Sequence, residues 1–216
     1  MQSGNFDCYK AKELMGDDKD IWKEDRIRAL KESLIFFSNK EKPNREKWTV
    51  IRLLRALAID FTEDELTEAE EPVDVSFRDV RFQEKEILDK DCRRTDEYKK
   101  ALQTAEAAKD HSELFEVYDP IDISFSTVVL KCYDYARTLL LQSKYGPLEC
   151  ENIDLLCYFN MVNHYIVPPI DVANEEIGFR SLSVVSKRYC AVACARKDAP
   201  RILRDNVGKA KEYFEL

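Results

Sequence analysis

Three polar side chains whose types and spacing suit metal-dependent hydrolysis occur in one short stretch, residues 72–88 (PVDVSFRDVRFQEKEIL). The stretch has the pattern of a β-hairpin, and a two-residue turn sets Asp74 opposite Gln83. Because side chains alternate along a strand, Asp74, Gln83 and Lys85 then share one face. Carboxylate and amide oxygens bind hard divalent cations, and a nearby ammonium can orient water or stabilise developing charge. The pattern therefore predicts a site for phosphodiester hydrolysis.

The roles within this site follow from the side-chain chemistry. We expect Asp74 to bind Mg²⁺ or Mn²⁺ directly and Gln83 to supply a neutral oxygen as an auxiliary ligand. Lys85 is the expected catalytic base or charge stabiliser. Glu46, on the preceding predicted helix, is the expected further acidic ligand, although an acid in a first helical turn more commonly complements the helix dipole.

The register of the hairpin decides whether this site exists. A turn at residues 78–79 gives the arrangement described above, whereas a three-residue turn would pair Asp74 with Glu84 and bring Glu86 to the same face. That second register would create a carboxylate cluster without the lysine. It mixes apolar and polar side chains on one face, so we favour the first.

Composition limits the class of protein. The 216 residues include 44% hydrophobic and 35% charged residues, enough for a sizeable core with a strongly solvated exterior. There is no run of 18 apolar residues and no signal-peptide pattern, so the sequence favours the cytoplasm and no membrane association. The seven cysteines have scattered spacing, which fits reduced thiols.

Several functional classes fit poorly. Five glycines form no phosphate-binding loop, and the two histidines lie far apart, which argues against a zinc site. The net charge of −8 opposes a general attraction to nucleic acid but leaves room for a locally basic cleft.

Periodicity predicts alternating helices and strands. Helices are predicted over residues 17–38, 44–57, 95–109, 126–144 and 199–213, and Asn44 is the predicted cap of the second. In addition to the hairpin, strands are predicted over residues 58–61, 153–161, 181–186 and 189–195. Residues 62–71 are predicted to form a solvated acidic loop. We interpret residues 1–43 as an N-terminal helical extension and residues 44–216 as a single α/β domain.

An aspartate followed about nine residues later by Gln-x-Lys on the partner strand resembles the active-site signature of the PD-(D/E)xK nuclease superfamily, with Gln83 in place of an acid. The runs FFSNKEKPNREKWTVIRLLRALAIDFTEDEL and PVDVSFRDVRFQEKEILDKDCRRTDEYKKAL resemble a family of uncharacterised bacterial proteins labelled putative endonucleases. RSLSVVSKRYCAVACARKDAP resembles that family more loosely.

The resemblance implies a restriction endonuclease-like core, α-β-β-β-α-β, with a mixed central sheet flanked by helices. To this core the chain would add an N-terminal helix and a C-terminal β-hairpin and helix. Nucleic acid is the implied partner, DNA rather than RNA, and many nucleases of this architecture act as homodimers.

A second interpretation stays open at the sequence level. Asp74, Gln83 and Lys85 can equally form an ordinary polar face of a hairpin exposed to water. The same fold would then be catalytically inactive and act as a protein-interaction or regulatory module, which the acidic net charge favours.

Overall fold

The structure is a computed structural model that describes residues 19–89, 93–109, 111–114, 119–142, 145, 147–161 and 163–212. Its internal contacts divide the chain into two units. One comprises the described residues of 1–38 and 93–117, and the other those of 39–92 and 118–216. The domain boundary that we placed after residue 43 stays a prediction, and the first 18 residues of that extension lie outside the described residues.

The elements are numbered in chain order. The helices are α1 (Lys19–Phe36), α2 (Lys42–Ala56), α3 (Arg94–Ala107), α4 (Phe125–Leu140), α5 (Pro147–Cys150) and α6 (Arg201–Arg204). The strands are β1 (Leu66–Glu68), β2 (Val75–Phe77), β3 (Val80–Ile87), β4 (Ile121–Ser124), β5 (Asp154–Phe159), β6 (His164–Val167), β7 (Ser181–Val185), β8 (Tyr189–Ala195) and β9 (Ala210–Glu212).

The second unit is built on a mixed sheet with the strand order β1-β2-β3-β5-β7-β8-β9. β3, β5 and β7 run parallel at its centre, and the strands on either side are antiparallel to their neighbours. β5 is buried along its whole length, as its continuous apolar sequence predicts for a strand covered on both faces. β4 and β6 form a separate parallel pair, which periodicity did not predict.

A helix covers each face of this sheet. The apolar stripe of α2 packs against one cluster of sheet residues, which includes Phe77, Phe82 and Leu156. The buried side of α4 packs against the other face, where Leu155 and Phe159 alternate with the residues of the first cluster. The result is a mixed α/β fold with a mixed central sheet flanked by helices.

The first unit has its own small core. Leu30 of α1, Ala105 of α3 and Leu114 are buried together, and the Phe37 ring stacks on Tyr98 with centroids 5.3 Å apart. Lys23 donates to backbone carbonyls at the end of α3. Its ammonium thus meets carbonyls that a helix end leaves without intrahelical partners.

The start of the second unit differs from prediction in three places. α2 begins at Lys42 instead of Asn44, and Asn44 is no cap because its amide donates to the Glu41 carboxylate at 2.6 Å. Residues 58–61 form no strand, since Ala58 has a φ of 55°, which breaks an extended run. The first strand is instead β1, inside the acidic run predicted as a loop.

The C-terminal helix predicted over 199–213 is also wrong. α6 ends at Arg204, and the chain then turns through Gly208, whose φ of 76° is readily adopted by glycine. β9 follows and pairs antiparallel with β8. The predicted hairpin of β7 and β8 is confirmed. The predicted helix α4 is also confirmed and ends at Leu140. Its predicted last residue, Lys144, lies outside the described residues.

Within the described residues, no helix combines the length and apolar character that crossing a bilayer requires.

Candidate active site

The hairpin of β2 and β3 has the two-residue turn. Val75 pairs with Phe82 and Phe77 with Val80, so the favoured register is confirmed and the three-residue alternative is wrong. Arg78 in the turn has a φ of 54°, the left-handed conformation that tight hairpins require. The Asp74 N–H donates to the Phe82 carbonyl at 2.9 Å, which keeps Asp74 against β3 beyond the end of β2.

The Asp74 carboxylate is almost wholly buried and meets three nitrogen atoms. Its Oδ2 accepts a hydrogen bond from the Glu84 N–H at 2.9 Å and lies 3.7 Å from Lys85 Nζ. Its Oδ1 lies 3.5 Å from Lys42 Nζ. A backbone N–H and two ammonium groups thus converge on this one carboxylate.

Lys85 is held in place from two sides. Its Nζ donates to the Glu84 carbonyl at 2.7 Å in addition to its ion pair with Asp74. The structure therefore brings together the carboxylate and the ammonium that the sequence placed on one face. Their catalytic roles stay predictions.

Gln83 is 5% exposed, and its Oε1 has no hydrogen-bond partner among the described residues. Its side chain interacts with the Tyr145 hydroxyl. Burial raises the pKa of Tyr145 to about 12, Asp74 adds to the rise, and Gln83 opposes it. A buried amide oxygen without a partner is costly, so this atom is available for a ligand.

Glu46 lies on α2 and is 6% exposed. Lys42 Nζ, one helical turn earlier, is 2.8 Å from Glu46 Oε1. Burial raises the pKa of Glu46, the hydrogen bond from Lys42 opposes the rise, and the Asp74 charge adds to it. Glu46 and Asp74 thus share one counter-charge.

Two participants were missed from the sequence. Lys42 was assigned to the break between helices, although its spacing of four residues from Glu46 is the signal of a helical ion pair. Glu84 was given a place in the site only in the rejected register, and no role in the favoured one. It lies on the face of β3 nearer α2, where the Thr49 hydroxyl is 3.5 Å from its Oε1.

The oxygen atoms of the site can be compared with the ligands that a divalent cation requires. No group of three His, Cys, Asp or Glu side chains that could hold a metal is found within the described part of the chain. The oxygens present are those of the Asp74 and Glu46 carboxylates and the Gln83 amide oxygen. Such hard oxygen donors fit Mg²⁺ or Mn²⁺, and the Lys42 ammonium already marks a position between the carboxylates where a cation is stabilised.

Comparison with known proteins supports the fold and gives a family. A solved structure of a protein of unknown function from Pseudomonas aeruginosa strain PAO1, named as monooxygenase superfamily, superposes with a TM-score of 0.59 at 21% sequence identity. The match covers 92% of this chain and 97% of that one, and at this identity it concerns the fold alone. None of the curated proteins compared with the chain matches it.

A family model matches residues 17–214, which is nearly the whole chain. The protein therefore belongs to the family described as "Putative endonuclease, protein of unknown function (DUF1780)".

Proposed function

We propose that this protein hydrolyses phosphodiester bonds in nucleic acid with the help of a divalent cation. The observation that carries the proposal is the ion pair of Lys85 Nζ and Asp74 Oδ2 at 3.7 Å, next to a buried Gln83 oxygen that has no hydrogen-bond partner in the described part of the chain. Carboxylate, amide and ammonium are the groups such a reaction needs, and the family description names the same kind of activity.

Asp74, Glu46 and Gln83 would hold Mg²⁺ or Mn²⁺, which supplies Lewis-acid polarisation of a phosphate oxygen and a more acidic bound water. The chain's own residues provide position and charge. Lys85, oriented by the Glu84 carbonyl, places its ammonium where it can donate to a phosphate oxygen and offset developing negative charge.

The element order supports a restriction endonuclease-like core. α2, the antiparallel strands β1, β2 and β3, helix α4 and the parallel strand β5 follow one another as α-β-β-β-α-β, with other elements inserted. This is the order that resemblance to the PD-(D/E)xK superfamily implies. DNA is the proposed substrate in preference to RNA, with two copies of the chain acting together as a homodimer.

Nuclease assays with Asp74→Asn and Lys85→Met test the proposal. We expect the parent protein to cleave DNA in the presence of Mg²⁺ or Mn²⁺ and each variant to lose activity by about 100-fold or more. Asp74→Asn weakens the proposed metal site, and Lys85→Met removes the positive charge proposed to act at the reacting phosphate. Substrates should include single- and double-stranded DNA and RNA.

Asp79→Asn is the matched control, because Asp79 is an exposed carboxylate at the tip of the same hairpin. It should leave cleavage unchanged, and circular dichroism should show that all variants fold. Absence of cleavage on every substrate, together with no calorimetric heat from Mn²⁺, would refute the nuclease proposal.

A protein-interaction or regulatory module is the second candidate function. It is favoured by the Lys42 and Lys85 ammonium groups, which together balance the charges of Glu46 and Asp74, and by the net charge of −8. In that case the same assays would give no cleavage, and the site would be a structural ion-pair cluster.

A further inference from the structure

The cation position between Glu46 and Asp74 is filled by a side chain that is poorly anchored elsewhere. Lys42 lies in the first turn of α2 and its side chain is 53% exposed, whereas the side chains of both its carboxylate partners are only 7% exposed. Long, exposed lysine side chains change rotamer readily, whereas buried carboxylates do not. Lys42 is therefore the partner that can leave.

At the same location, a second and independent observation indicates that a ligand is missing. Gln83 is 95% buried, and its Oε1 has no hydrogen-bond partner among the described residues. The pairing of Val75 with Phe82 sets Asp74 beside Gln83 across the hairpin, which places them in one neighbourhood. An ammonium satisfies the two carboxylates but leaves this oxygen unpaired, whereas a metal ion with several oxygen ligands would satisfy all three.

We propose that Lys42 is an internal counter-ion that occupies the cation position in the metal-free protein and swings out to solvent when a divalent cation binds. This inference rests on the proposed function, since it assigns a further residue to the same site. Lys42 bridges the two carboxylates and holds them close together before the metal arrives. It also competes with the metal, so it sets how much metal is needed to load the site.

Calorimetric titration of the full-length, metal-stripped protein with Mn²⁺ tests the proposal through Lys42→Met. The variant should bind Mn²⁺ about tenfold more tightly than the parent, because no charge-assisted hydrogen bond has to be broken first. Without metal, the melting temperature of Lys42→Met should fall below that of the parent, because buried Glu46 then loses the ammonium that pairs with it and only Lys85 still pairs with Asp74. Mn²⁺ should restore it.

Two further variants separate this effect from net charge. Lys47→Met removes one positive charge from the same helix and, among the described residues, breaks the ion pair of Lys47 with Glu68 at 3.4 Å, so its Mn²⁺ affinity should equal that of the parent. Lys42→Arg keeps the competing cation and should not bind more tightly.

A measurement on the parent protein does not depend on whether a variant folds. Acetylation of lysines, followed by mass spectrometry, should show Lys42 becoming more reactive when Mn²⁺ is added and Lys47 unchanged. If Mn²⁺ binds but neither the affinity of Lys42→Met nor the reactivity of Lys42 changes, the counter-ion proposal is wrong while the nuclease proposal stands. If neither parent nor variant binds Mn²⁺, the metal part of both proposals is wrong.

Discussion

The Glu84 carboxyl has its pKa raised to about 8, first because burial penalises the charged form and second because the Glu86 charge adds to that penalty. Lys85 opposes the rise. In the unfolded chain the group returns to its ordinary value of 4.5. Between these two values the folded protein binds a proton that the unfolded chain has released, so Glu84 makes the protein less stable as pH rises from 4.5 towards 8.

Glu84→Gln should remove this dependence. The parent's free energy of unfolding should fall with pH by up to about 1.4 kcal/mol per pH unit across that window because of this one group, and the variant should show a correspondingly flatter profile. Urea unfolding measures the free energy of unfolding of the parent and the variant. It should be carried out in the presence of a chelator at several pH values between 5 and 8.

Glu63→Gln, at an exposed position outside the site, is the control and should follow the parent's profile. If Glu84→Gln retains the parent's slope, the Glu84 carboxyl does not hold its proton in the folded state.

At the level of single residues, the sequence predicted those whose position depends on strand alternation. Asp74, Gln83 and Lys85 were identified because the apolar residues of the hairpin allow only one register that keeps them on one face. Lys42 was missed because its role depends on where α2 begins, and a proline next to it looked like a helix break although proline is tolerated in the first turn.

At the level of elements, Asp154 connects three strands of the central sheet. It is fully buried at the start of β5, where it accepts from the Arg81 N–H of β3 at 2.9 Å and from the Ser181 hydroxyl of β7 at 2.8 Å. The Arg180 guanidinium donates to the same carboxylate and to the Asp79 carbonyl in the hairpin turn. This network fixes the hairpin against the parallel strands and so fixes the site.

Asp154→Ala should destabilise the protein by about 3–5 kcal/mol, because it leaves Arg180 and two further donors without their acceptor. Chemical denaturation measures the loss. Asp198→Ala, which breaks the exposed pair with Arg196, should cost no more than about 1 kcal/mol. Equal losses in the two variants would show that the buried network contributes no special stability.

The elements that the sequence did not predict are short or lie at the margin of the fold. β1 and β9 have three residues each, and most of those residues are exposed, so neither has an apolar pattern that differs from a loop. β4 and β6 are parallel partners more than 40 residues apart in sequence, and no local pattern indicates such pairing. These strands therefore form because of tertiary contacts and not because of the intrinsic strand preference of their residues.

At the level of the whole molecule, burial predicts a gradient of local stability across the sheet of the second unit. β5 is buried at every residue, with a parallel strand on each side and a helix over each face. Hydrogen exchange followed by mass spectrometry should therefore show the slowest exchange in β5 and faster exchange in β1 and β9. Uniform exchange across these strands would contradict a core centred on β5.

The two edges of that sheet also restrict how copies of the protein can associate. Each edge is a three-residue strand that carries charged side chains, Glu68 on β1 and Lys211 and Glu212 on β9. Short, charged edges resist the addition of a strand from another molecule, which is how natural sheets avoid forming continuous fibres. Two copies that cooperate on double-stranded DNA would consequently have to meet through helices or loops, and high protein concentration should not drive edge-to-edge polymerisation.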